Sequence, residues 1–93
     1  MSVSVTYSRR AAAEAEEITA FLSEYSRPAA ERFRASLRRA ERHLADYPES
    51  GAAGNRPGTR RLVVGNYIVS YRRRGPDVEI FAVRHASRRD SRL

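Results

Sequence analysis

Residues Ser2-Val3-Ser4-Val5-Thr6-Tyr7 alternate small polar side chains with apolar or aromatic ones. This is the period-two pattern of a half-buried strand. The period then lengthens. Ser8 suits a helix N-cap, and Ala11, Ala15, Ile18, Leu22 and Tyr25 recur at intervals of four and three, with Phe21 widening the stripe. That spacing predicts an amphipathic helix ending near Tyr25. Glu14, Glu16, Glu17 and Glu24 lie mostly off the stripe.

A second helix start follows at once. Ser26 offers a cap, and Pro28 is tolerated in a first turn, where its missing N–H is not needed. Ala30, Phe33, Leu37, Ala40, Leu44 and Tyr47 form the next helical stripe, which Pro48 ends. Two amphipathic helices joined by so short a link predict an antiparallel hairpin. Glu49 to Gly58 reads as a mobile loop by composition.

Beyond it the period returns to two. Thr59–Val64 and Tyr67–Arg73 read as strands around a two-residue Gly65-Asn66 turn; Arg74 to Asp77 is a second turn, and Val78–His85 the last strand. Ala86–Leu93 is an Arg-rich tail. The order is β-α-α-β-β-β: an α+β fold, one domain over residues 1–93, with a mostly antiparallel four-stranded sheet and a helical hairpin on one face. A regular hairpin sets Val64 opposite Tyr67, Leu62 opposite Val69, Arg61 opposite Ser70, Arg60 opposite Tyr71 and Thr59 opposite Arg72. Alternation then gives the helix-covered face to Leu62, Val64, Tyr67, Val69 and Tyr71, with Arg60 beside them. Arg61 and Arg72 project from the open face, and Arg73 ends the strand in solvent. Strict alternation on the last strand groups Val78, Ile80, Ala82 and Arg84 against Glu79, Phe81, Val83 and His85.

Charge adds a functional dimension. All 18 basic side chains are arginine, against 11 acids, for a net charge of +7. Residues 1–50 sum to zero, so the whole excess lies in residues 51–93. Planar, permanently charged guanidiniums suit phosphates and carboxylates, and their placement points to an acidic or polyanionic partner. Cysteine is absent, which excludes thiolate and disulfide chemistry. Two histidines 42 residues apart do not suggest a zinc site, and no cofactor or metal is expected. With no apolar run near the roughly 20 residues that span a bilayer, a soluble, cytoplasmic chain is expected.

The segment Gly58 to Arg72, with its Gly65-Asn66-Tyr67 hairpin, and the strand Val78 to His85 resemble the ParE/RelE superfamily of toxins from type II toxin–antitoxin systems. The Ala29–Phe33 segment and the break from Tyr47-Pro48 to Gly51 are similar too, so the resemblance covers nearly the whole chain. It implies the fold just described, a chromosomal or plasmid toxin, and a cognate acidic antitoxin as partner, with a higher-order toxin–antitoxin assembly in view. RelE-like members are ribosome-dependent mRNA endonucleases; ParE-like members poison DNA gyrase. Arg61 matches a basic RelE-like position, but Thr59 stands at another. Ile68 replaces a catalytic arginine, and Arg84-His85-Ala86 stands where many nucleases read Gly-His-Arg. The resemblance therefore favours the ParE-like branch: gyrase inhibition by binding, with no catalytic residues. The alternative is an mRNA endonuclease using Arg61, Arg72 and His85, with the ribosome and mRNA as partners.

The expected contact set for target or antitoxin is Arg60, Arg61, Arg72, Arg73, Arg84, His85, Arg88 and Arg89. Each has a plainer reading. Strand arginines solvate an exposed face or protect an edge, and a strand-end histidine is more often packed than catalytic. Arg34, Arg38 and Arg42, at i, i+4 and i+8, read as a solvated helix face. The five tyrosines read mostly as core.

Overall fold

The computed structural model describes residues 2–87. Expectations for Arg88, Arg89 and Arg92 fall outside them. The chain runs β1 (Val5–Tyr7), α1 (Arg9–Tyr25), α2 (Arg27–Asp46), β2 (Ala52–Ala53), β3 (Thr59–Val64), β4 (Tyr67–Arg74) and β5 (Asp77–His85). Both helices begin as their caps dictate: Ser8 Oγ accepts from Ala11 N–H at 3.1 Å and Ser26 Oγ from Ala29 N–H at 3.3 Å. Ser26 also closes α1, its N–H donating to the Leu22 carbonyl. One residue thus makes the link between antiparallel helices.

The sheet order is β1-β5-β4-β3-β2, antiparallel except for the parallel β1–β5 pair. The β3–β4 register is the expected one, Val64↔Tyr67 through Thr59↔Arg72. Gly65 takes φ 60°, as a two-residue turn with glycine first requires. Gly75 does the same, so the second turn tightens to Gly75-Pro76.

Three expectations need correction. The sheet has five strands, because Ala52–Ala53 pairs with Arg60 and Arg61. The stretch expected to be a mobile loop is tied down: Gly51 N–H donates to the Tyr71 hydroxyl at 2.8 Å, Arg60 Nη1 to the Gly51 carbonyl at 2.9 Å, and Gly54 N–H to the Thr59 carbonyl. Second, strict alternation fails on β5. Tyr71 pairs with Ile80 and Ser70 with Ala82, leaving Phe81 as the extra residue of a bulge. Val78, Ile80 and Val83 therefore all join the core under the helices. Third, Tyr25 and Tyr47 are exposed, because each stands at the end of its helix.

The core unites Ala11, Phe33, Leu37, Ala40 and Leu44 from the helices with Val64, Val69, Tyr71, Val78, Ile80 and Val83 from the sheet. Tyr7 lies partly buried beside it and donates to Glu41 Oε2 at 2.6 Å. Burial, first, and the bond and charge of Glu41 push its hydroxyl well above the ordinary value of 10.0. No helix among the described residues is long and apolar enough to cross a membrane.

Two outcomes are expected in urea titrations. A Cβ at Gly51 would stand 2.7 Å from both the Arg61 carbonyl and the Tyr71 hydroxyl, so Gly51→Ala loses about 1–3 kcal/mol. A folded tyrosine pKa raised above the unfolded one means that the unfolded chain ionises first. Stability should therefore fall as pH rises past the ordinary tyrosine value, and Tyr7→Phe should flatten that alkaline limb. An equally steep limb in Tyr7→Phe would contradict the assignment.

Candidate functional site

The open face of the sheet follows from the register. Thr59, Arg61 and Val63 of β3 stand opposite Arg72, Ser70 and Ile68 of β4, and β5 continues the rows with Glu79, Ala82 and Arg84. Cross-strand partners share a face. Ser70 and Ala82 are small and buried, so they form a floor between larger side chains. Arg61 is half-buried above it, and its Nε has no hydrogen-bond partner among the described residues.

The neighbouring arginines are engaged within the chain. Arg72 donates through Nε and Nη2 to Glu79 Oε1 at 3.1 and 3.0 Å, and its guanidinium lies 5.4 Å from the centre of the Phe81 ring. Arg74 reaches the same carboxylate at 3.6 Å. Arg73 Nη2 donates to the Pro76 carbonyl across the turn. Arg60, on the helix side, holds Gly51 and approaches Glu49 at 3.8 Å.

Arg84 is the most buried of these arginines, only 8% exposed. Its Nε lies 2.8 Å from Glu14 Oε2 on α1. The other oxygen of Glu14 accepts the Val83 N–H at 2.9 Å, and Arg10 approaches from the preceding helical turn at 3.3 Å. Position 14 lies three residues after Ala11 and four before Ile18. An acid at that spacing beside an apolar stripe is the signal that would have revealed it.

His85 is exposed at the other face. It pairs with Tyr67, stacks edge-on to that ring at 5.3 Å, and its Nδ1 lies 2.7 Å from Ser87 Oγ. Tyr67 in turn packs on Phe33 of α2, and burial raises its hydroxyl above the ordinary value. The structure thus brings Arg61 and Arg72 to one face and His85 to the opposite one. Among the described residues, no three His, Asp or Glu side chains gather as metal ligands.

These contacts order the stability losses expected for alanine variants. Arg84→Ala strands a shielded carboxylate and loses about 3 kcal/mol. Arg60→Ala loses about 1 kcal/mol. Arg72→Ala, whose ion pair is partly exposed, loses less than about 1 kcal/mol, and Arg61→Ala changes stability least. Equal losses at all four positions would contradict the assignment of partners.

Comparison with known proteins extends the picture. A family model described as the ParE toxin of the type II toxin–antitoxin system parDE matches residues 5–90. Toxin Y4kP of Sinorhizobium fredii is 38% identical over 84 residues, covering 88% of this chain and 86% of that protein. Toxin RelE2 of Caulobacter vibrioides is 32% identical over 84 residues, covering 90% of this chain and 96% of its own. A solved structure of the chromosomal ParDE toxin–antitoxin system from P. aeruginosa shares the fold, with a TM-score of 0.77 at 20% identity over 91% of this chain and 97% of that one. The family match spans both helices and the whole sheet: the chain belongs to the ParE toxin family of type II toxin–antitoxin systems.

Proposed function

We propose that this toxin acts by binding, with DNA gyrase as its target, and is neutralised by an acidic antitoxin. The observation that carries the reading is the separation of Arg61 and Arg72 from His85 by the sheet itself. Phosphoryl transfer needs its proton acceptor and its charge-stabilising groups around one reacting phosphate. These three do not surround one point. On the open face, Ile68 stands where a RelE-like chain carries a catalytic arginine, and Arg72 already serves Glu79.

A binding role asks less of the same surface. Arg61, Arg72 and Arg73 offer guanidiniums at the face and its rim, and exposed His85 borders the helix side. Arg60 and Arg84 hold the frame beneath them.

The antitoxin contact is assigned to the groove between α2 and β3. Ser36, Arg39, Ala40 and His43 line one wall, Leu62 to Gly65 the other. β2 pairs with Arg60 and Arg61, so among the described residues the outer edge of β3 beyond them has no strand partner, and Val63 is 73% exposed. An extended segment of the antitoxin adds to this edge by backbone hydrogen bonds, with carboxylates toward Arg39.

Expression without antitoxin separates the two activities. Gyrase supercoiling should fall while mRNA stays intact, and Arg61→Ala should raise the half-inhibitory concentration about tenfold, or 1.4 kcal/mol. Cleaved mRNA with normal supercoiling would overturn the reading.

A further inference from the structure

The sequence places the excess charge in residues 51–93, but most of the strand arginines described there are already engaged within the chain. Arg60, Arg72, Arg74 and Arg84 have carboxylate partners, and Arg73 has a carbonyl. On α2, Arg34, Arg38 and Arg42 are all exposed, and none has an ion pair or hydrogen bond among the described residues. The nearby acid Glu41 accepts from Tyr7 instead. The helix that reads as merely solvated therefore carries a row of free guanidiniums.

The geometry of the row is simple. Four residues advance about 6 Å along a helix and turn the side chain about 40° further, so three such positions form a gently winding ridge about 12 Å long. Arg34 and Arg38 also border a groove between α1 and α2, with Ala12, Ala15 and Thr19 on the opposite wall and Glu16 and Glu41 as its acidic members, Glu41 already bonded to Tyr7.

We propose that this ridge binds the sugar–phosphate backbone of duplex DNA, independently of the gyrase reading. Two observations favour that ligand. A protein partner needs buried apolar anchors, but the large exposed apolar side chains among the described residues (Phe21, Tyr25, Tyr47 and Val63) all lie off the ridge. Phosphate contacts need only positioned cations. Single-stranded nucleic acid is held largely by stacking on aromatic rings, and the ridge carries none. A duplex presents phosphates at regular intervals, so a regular row of cations along one helix meets several of them at once.

The test is fluorescence anisotropy of the purified full chain with a short labelled duplex of arbitrary sequence, titrated at several salt concentrations. Each phosphate contact contributes a slope of about −0.9 to log K against log[salt], so R34A/R38A/R42A should flatten the slope by about 2.7 and weaken binding at low salt at least about tenfold. R34K/R38K/R42K should keep most of the slope. The charge-matched control R9A/R32A/R56A removes three exposed arginines off the ridge, Arg32 lying on the far side of α2 from Arg34, and should leave the slope nearly unchanged. Alanine is the best helix former, and circular dichroism confirms the fold of each variant; R38E alone reads the same ridge if the triple variant is unstable. The proposal is overturned if the control flattens the slope as much as the ridge variant. It is equally overturned if the ridge variant leaves binding unchanged, if the wild type does not bind the duplex, or if a single strand or polyglutamate competes better than the duplex.

Discussion

The short first strand creates the problem that the rest of the fold solves. β1 pairs with Val78, Glu79 and Ile80, so among the described residues the second half of β5 has no strand on its outer edge. An unpaired edge beside a core exposes backbone donors and invites wrong pairings. Glu14 answers both. Its carboxylate takes the Val83 N–H with one oxygen and the Arg84 guanidinium with the other. This pins α1 against β5, and Ser26 fixes where α2 begins. The helical hairpin then covers one sheet face and leaves the other open.

The tether also changes the meaning of the charge. A cation that stabilises a strand edge is not free to meet a partner, and the same holds for Arg60 against Gly51 and Arg72 against Glu79. The guanidiniums available to a partner are those that lack an internal carboxylate, wherever arginine is most frequent along the chain. Among the described residues, Arg61 on the open face and the α2 row are two places where such guanidiniums stand. They point to different sides of the molecule, one on the sheet and the other on the helices that cover its back.

Much of this architecture is legible in the sequence because it is locally encoded. Ser8 and Ser26 mark both helix starts through hydrogen bonds to their own first turns. Gly65-Asn66 fixes the β3–β4 register because a two-residue turn leaves no freedom. What escapes has no local cause. The bulge at Phe81 depends on fitting β5 between β1 and β4. The strand Ala52–Ala53 exists because Arg60 and Tyr71, distant in sequence, seize Gly51. Arg84 sits on the open-face row opposite Ile68, yet Glu14 claims its side chain. For the site, pattern reasoning recovers the faces of Arg60, Arg61 and Arg72 but does not reveal their partners.

The proposed binding role rests on the sheet face that the helices leave uncovered. That account requires a rigid sheet, and among the described residues the outer edge of β5 at Val83 is held by the Glu14 carboxylate. Native-state hydrogen exchange at the Val83 amide tests this most directly. The account predicts that in the wild type this amide exchanges only through global unfolding, and that Glu14→Ala lets it exchange by local opening while the β3–β4 amides stay protected. A Val83 amide as well protected in Glu14→Ala as the β3–β4 amides would contradict it.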